Sequence, residues 1–183
     1  MDVLPRPRGT SILVAMPIPI QGVEPTQNEF LASLEAKSKK PNAFFRAMAH
    51  RPEVLKTFVP LYGAIMGTGS VEWRVKELVY LACSYANQCA YCIAAHTASA
   101  RKAGITDDDL RALQAGDEKP FSAAERAAIA YARDLTRTAK ATESREALFA
   151  HFTQEQIVEI TLVAAIANFT NRFNNGLQVL PEA

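Results

Sequence analysis

Every long apolar run after residue 25 carries helical spacing, and none alternates apolar and polar residues as a half-buried strand does. The last run is the strongest. Ile157, Val158, Ile160, Leu162, Val163, Ile166 and Phe169 cover most sides of one helix. The capping box Thr153-Gln-Glu-Gln156 opens it, and it extends to about Asn174. A helix apolar nearly all round has to be buried. In a chain of 183 residues, burial between subunits is one way to achieve that. The chain is therefore predicted to be all-α.

Punctuation divides residues 26–183 into the helices of a single domain. Thr26, with Glu29 three residues later, reads as the cap of a first helix that runs to Lys39 and is stopped by Pro41. Asn42 caps a short helix through Phe44, Phe45 and Met48 to His50, whose place at the end lets it face the helix dipole. Pro52 opens a third helix. Leu55, Phe58, Val59, Tyr62, Ile65 and Met66 form its apolar stripe, and Pro60 should kink it. Gly67-Thr68-Gly69-Ser70 is the clearest break in the chain. The next helix begins at Ser70 or Val71, contains Glu77 and ends near Ala86, with Asn87-Gln88 as a joint. A new helix runs from the cysteines to Lys102 and stops at Gly104. Thr106-Asp-Asp-Asp109 starts another, and Gly116 to Pro120 is a surface loop. The capping box Ser122-Ala-Ala-Glu125 opens a helix to about Lys140, and a short one spans Thr142 to His151. The segment from Asn171 to Gly176 reads as a polar helix end with Gly176 as its cap.

Residues 1–25 contain Pro5, Pro7, Pro17, Pro19 and Pro25, so they are expected to form an extended or irregular arm. Its apolar stretch, Ile12 to Ile20, would lie on its own domain or on a neighbouring subunit. Arg6 and Arg8 ahead of that stretch mimic a signal peptide, but two prolines interrupt it and no small-residue cleavage site follows. No run approaches the length of a membrane span. Twenty basic residues against nineteen acidic give a net charge of +1, without the basic excess of a nucleic-acid binder. Three cysteines, two of them a CxxC pair, do not make a secreted disulfide framework. A reducing, cytoplasmic setting is expected, with the pair cycling rather than fixed.

The reactive side chains are concentrated between Glu77 and His96. If Cys89 and Cys92 form the first turn of a helix, their side chains share a face and the sulfurs can pair. The helix N-terminus favours thiolate over thiol. His96, four residues beyond Cys92, is placed to reach that sulfur, and a cysteine beside a base is an activated nucleophile. Glu77 would stand about 18 Å from Cys89 on one straight helix, so it joins them only if the chain folds back near Asn87. Two other readings exist. The CxxC could be a pair of buried thiols, as cysteine often is. A metal site has only three nearby ligands where structural zinc takes four, so no metal is expected. Cys83, six residues before Cys89 in an apolar run, is expected to be an inert core thiol. Helix-dipole reasoning favours Cys89 as the reactive sulfur, and His96 favours Cys92.

The run Glu77-x11-Cys89-x2-Cys92-x3-His96 resembles the signature of the alkylhydroperoxidase D-like proteins of the carboxymuconolactone decarboxylase superfamily. Arg74-x-x-Glu77-Leu78, Tyr91, Ala103-Gly104 and the Asn171-Arg172 pair add to it, the last resembling the peroxidase-related subgroup. The likeness covers about residues 40–180. It implies a helical bundle acting as a homo-oligomer (dimer, trimer or hexamer) and a thiol peroxidase without cofactor. Cys92 would attack a hydroperoxide, Cys89 would resolve the sulfenic acid as a disulfide, and Glu77 and His96 would relay protons. Tyr91 and Arg172 would be supporting residues. The partners would be a hydroperoxide and a thiol or dithiol reductant, with no nucleic acid or membrane. Tyr91 departs from the best-studied branch, which has histidine between its cysteines. Two other activities remain: lactone decarboxylation, which needs no resolving cysteine, and non-peroxidase disulfide exchange or redox sensing.

Overall fold

A computed structural model describes residues 20–182. Most of the expected arm, residues 1–19, lies outside the described residues. The described residues form nine α-helices, a short 3-10 turn and no strand. The helices are α1 (Glu29–Ser38), α2 (Ala43–Met48), α3 (Pro52–Met66), α4 (Trp73–Ala86), α5 (Ala90–Lys102), α6 (Asp107–Ala115), α7 (Ala123–Thr138), α8 (Thr142–Leu148) and α9 (Gln154–Leu177).

The caps explain most boundaries. Asn42, Thr106, Ser122 and Thr153 each accept a hydrogen bond from the third residue of the helix they open, and the last three close full capping boxes. Three expectations change. Thr26 does not cap α1. Pro25–Gln27 form a 3-10 turn, and Asn28 takes the Leu31 N–H instead. His50 does not face a helix end but donates Nε2–H to the Gln21 carbonyl at 2.8 Å, fastening the segment before α1. Gly176 is not a cap. α9 runs through it to Leu177, and Gln178 takes the left-handed conformation, φ 55°. Gly176 bears no steric load there, since a Cβ would meet open space.

α4 is the axis of the fold. It packs against α5, α7 and α9, and every residue from Val75 to Ser84 is buried. α9 is buried on one side and exposed on another. Ile157, Ile160, Val163, Ile166 and Ala167 face the core, but Val158, Leu162 and Phe169 are exposed, and Phe169 shares a surface groove with Val54 and Leu61 of α3. No other described element covers that band. A homo-oligomer, where the chain forms one, has this surface to bury.

Ion pairs tie the helices together at their edges. Arg74 of α4 reaches Glu125 at 2.6 Å and Asp109 at 3.2 Å, and Arg46 reaches Glu35 at 2.8 Å. The hydrogen bond from Arg46 holds the Glu35 carboxyl below its ordinary range. Burial pushes Asp109, Glu125 and Glu159 up, but the bonds they accept outweigh it and leave all three lowered. A carboxyl lowered in the folded state adds stability that is complete above its unfolded value, about 3.9 for Asp and 4.3 for Glu. That stability is lost as pH falls through the folded value. Urea unfolding midpoints are therefore expected to be level from pH 7 to about 5 and to drop steeply below about 4.

Candidate functional site

The Asn87-Gln88 joint builds the site. Asn87 ends α4, Gln88 takes φ 53°, and Cys89 caps α5 with its sulfur accepting the Cys92 N–H at 3.3 Å. The chain thereby folds back, and α5 lies along α4. The Glu77 Oε2 comes to 2.8 Å from the His96 Nδ1. Ser99 Oγ donates to Glu77 Oε1 at 2.7 Å, and Trp73 Nε1 donates to the same oxygen at 3.0 Å. Burial raises the Glu77 carboxyl, and the bonds from His96, Ser99 and Trp73 more than offset it, so the group is lowered and ionised.

The imidazole is fully committed. Its Nε2 pairs with the Tyr62 hydroxyl at 2.9 Å, and the Tyr80 ring stacks on it at 3.4 Å between centroids. His96 thus makes no direct hydrogen bond to Cys92, the contact its spacing suggested. The Cys92 sulfur instead accepts from the Asn174 Nδ2 at 3.3 Å, across from α9. The bond to Cys89 is the main influence that lowers the Cys92 thiol. Burial opposes it, and Asn174 and the nearby His96 reinforce it. The same bond, with burial, raises Cys89, which keeps its proton.

Cys92, His96, Tyr62, Tyr80, Tyr91 and Asn174 share one cavity of about 110 Å³, which Phe44, Phe45 and Phe58 also line. Cys89 does not line it and is wholly buried behind Cys92. The four expected residues Glu77, Cys89, Cys92 and His96 are therefore brought together. Tyr91 also faces the cavity, with its hydroxyl bonded to Asn42 at 3.2 Å and Glu182 at 3.4 Å. Arg172 is not part of the group: it is exposed and bonds Asn168 and the Thr136 carbonyl. Cys83 is a buried core thiol, pushed up to about 11 by burial. Among the described residues no group of three or more His, Cys, Asp or Glu side chains is arranged to hold a metal. None of the helices is long and apolar enough to cross a membrane.

Tyr62, Trp73, Ser99 and Asn174 were not singled out by the sequence. Spacing held part of the signal. Trp73 is four residues before Glu77, its partner, and Ser99 is three after His96, so each lies on a helical face that an expected site residue already marks. Asn174 is three residues from Asn171 on the same helical face, and both are buried.

Fold and site together define a helical protein with a buried, unequal dithiol beside a Glu–His pair. Residues 52–134 match the model of the Carboxymuconolactone decarboxylase family. The chain is 31% identical over 109 residues to the uncharacterized protein YdfG of Bacillus subtilis (strain 168), covering 57% of this chain and 74% of that protein. Its fold is that of an alkylhydroperoxidase AhpD core, an uncharacterized peroxidase-related protein from Ralstonia eutropha JMP134. The two share 25% identity, with a TM-score of 0.79 over 92% of this chain and 94% of that one. The debrominase Bmp8 has the same fold at 22% identity and TM-score 0.74, covering 90% and 91% of the two chains. The chain belongs to the carboxymuconolactone decarboxylase family, in its alkylhydroperoxidase D-like form.

Proposed function

We propose that the protein is a thiol-dependent peroxidase. The observation that carries this reading is the inequality of the two cysteines. Cys92 lines the cavity with a lowered thiol, while Cys89 stands behind it at the start of the same helix, protonated and in bonding contact. That is the arrangement of a nucleophile with its resolving partner. It also weighs the dipole argument for Cys89 against position: Cys89 holds the cap, but only Cys92 meets a molecule in the cavity.

In this reading the Cys92 thiolate attacks the terminal oxygen of a hydroperoxide. The S–O bond forms, the O–O bond breaks, and the leaving oxygen takes a proton delivered through the Glu77–His96 pair. The Cys89 thiol then displaces water from the sulfenic acid, giving the disulfide and one alcohol per hydroperoxide. A thiol or dithiol reductant restores the pair. Glu77 keeps the imidazole oriented and stabilises its charged form.

Mixing the reduced protein with one equivalent of cumene hydroperoxide and counting free thiols is the test. Two thiols lost per chain, with Cys83 retained, is the expected result. A count that stays at three removes the peroxidase reading and leaves lactone decarboxylation or disulfide exchange with another protein.

A further inference from the structure

Two residues that line the cavity, Asn174 and Tyr62, have no part in that scheme. Asn174 Oδ1 is the one buried side-chain nitrogen or oxygen among the described residues that lacks a hydrogen-bond partner. It belongs to a side chain whose other end is fixed, since Nδ2 donates to the Cys92 sulfur. An unpaired acceptor in a buried position is costly unless something supplies its hydrogen bond. The second group is the Tyr62 hydroxyl. With Nδ1 on Glu77 and Nε2 on Tyr62, the imidazole has no ring nitrogen free for a substrate. A proton moving between His96 and the cavity has to pass through Tyr62.

We propose, resting on the peroxidase reading, that Asn174 and Tyr62 grip the two oxygens of an alkyl hydroperoxide. Asn174 Oδ1 accepts the O–H of the terminal oxygen and holds that oxygen against Cys92. Tyr62 donates its O–H to the second oxygen, the one that leaves. The proton accounting closes. Cys92 enters as the thiolate, its thiol lowered by Cys89, Asn174 and His96 and not by Tyr62, and the proton for the leaving oxygen stands on His96 Nε2. The thiolate takes the terminal OH to become a sulfenic acid, and the O–O electron pair departs on the alkoxide. The alkoxide takes the Tyr62 proton, and His96 Nε2 gives its proton to Tyr62. One thiolate, one proton and one hydroperoxide become one sulfenic acid and one alcohol. Burial and the Glu77 carboxylate push the Tyr62 hydroxyl up, so it holds its proton until a base as strong as an alkoxide forms beside it. The carbon part of the substrate would lie against Phe44 and Phe58.

The test is single-turnover oxidation of the reduced, full-length protein by two oxidants, followed by loss of free thiols. tert-Butyl hydroperoxide expels an alkoxide, which needs a proton, whereas peracetic acid expels acetate, which does not. Tyr62→Phe is expected to slow the first reaction on the order of 100-fold and the second by less than about threefold. Alkylation of Cys92 by iodoacetamide should hardly change, which separates a lost proton donor from a disturbed site. Equal slowing with both oxidants, or no slowing with tert-butyl hydroperoxide, overturns the role of Tyr62. Asn174→Leu is expected to slow both oxidants by about tenfold more than it slows alkylation, the effect of one lost hydrogen bond. Equal slowing of all three reactions reduces Asn174 to a support for the thiolate and overturns its grip on substrate. Wild-type protein that loses no thiols to either oxidant removes the peroxidase reading and the grip with it. Wild type that is oxidised, with both variants matching it, removes the grip alone.

Discussion

Replacing Cys92 with serine is expected to reduce hydroperoxide consumption to the rate of the uncatalysed reaction, a fall on the order of 10⁴ or more. The hydroxyl of serine is about the right size but is not ionised at neutral pH. The influences that lower Cys92, namely the bond from Cys89, the Asn174 amide and the nearby His96, cannot bring it to a comparable state. Cys89→Ser is expected to behave differently. It removes the thiol that donates to Cys92 but leaves Asn174 and the Glu77–His96 pair in place. The first attack on peroxide survives at a reduced rate, the sulfenic acid accumulates, and turnover stops after one equivalent. Dimedone trapping followed by mass spectrometry reads this directly, with one adduct at Cys92 in Cys89→Ser and none in Cys92→Ser. The reverse pattern, an adduct at Cys89 when Cys92 is serine, would exchange the roles of the two sulfurs. It would mean that the helix N-terminus, and not the cavity, selects the nucleophile.

The residues that a reader of the sequence finds first are those whose chemistry is unusual for their surroundings. A CxxC pair, a histidine four residues on and a carboxylate in an apolar run are conspicuous because polar and reactive groups are seldom buried without cause. The fold was legible for a similar reason. Caps such as Asn42, Ser122 and Thr153 satisfy backbone groups within one turn, so the information is local and spacing reveals it. The joint at Asn87-Gln88, on which the return of Glu77 depends, was visible as a break in pattern. Tyr62 and Asn174 were not visible, because nothing local distinguishes them. Tyr62 sits in an apolar stripe where an aromatic ring is ordinary, and only the packing of α3 near α5 turns its hydroxyl towards His96. Asn174 lies in a run of polar residues that imitates a helix end. The same imitation made Gly176 look like a cap while α9 in fact continued. The exposed side of α9 is the apolar surplus that its spacing already showed. Periodicity reports how much apolar surface a helix carries, not whether one chain has enough neighbours to cover it.

Lys76 shows most clearly what a pattern cannot reveal, and it supports the largest stability prediction. It stands next to Glu77 in α4 and is almost wholly buried, with 1% of its surface exposed. Its ammonium donates to the carbonyls of Ile65 at 3.0 Å and Gly67 at 2.7 Å and pairs with Glu159 of α9. Glu159 in turn accepts from the backbone N–H groups of Ser70 and Val71, at 2.8 and 3.1 Å. The Gly-Thr-Gly-Ser break is therefore a folded cradle for a carboxylate, and it shows why Gly69 is glycine: a methyl group there would overlap Glu159. Removing one member of a buried pair leaves the other charge without a partner, which costs about 3–5 kcal/mol. The two single substitutions should differ. Glu159→Gln strands an ammonium that cannot reach water, whereas Lys76→Met leaves a carboxylate with backbone donors and partial access to solvent. Glu159→Gln is expected at the upper end of that range and Lys76→Met at or below the lower end. In a chain of this size the larger loss lowers the thermal midpoint by roughly 10 °C or more. The double variant, which removes both charges, should lose less than the sum of the two. Urea unfolding of the three variants decides it. Strict additivity would show that the ammonium and the carboxylate do not depend on one another, and that the loop, rather than the pair, holds α4 to α9.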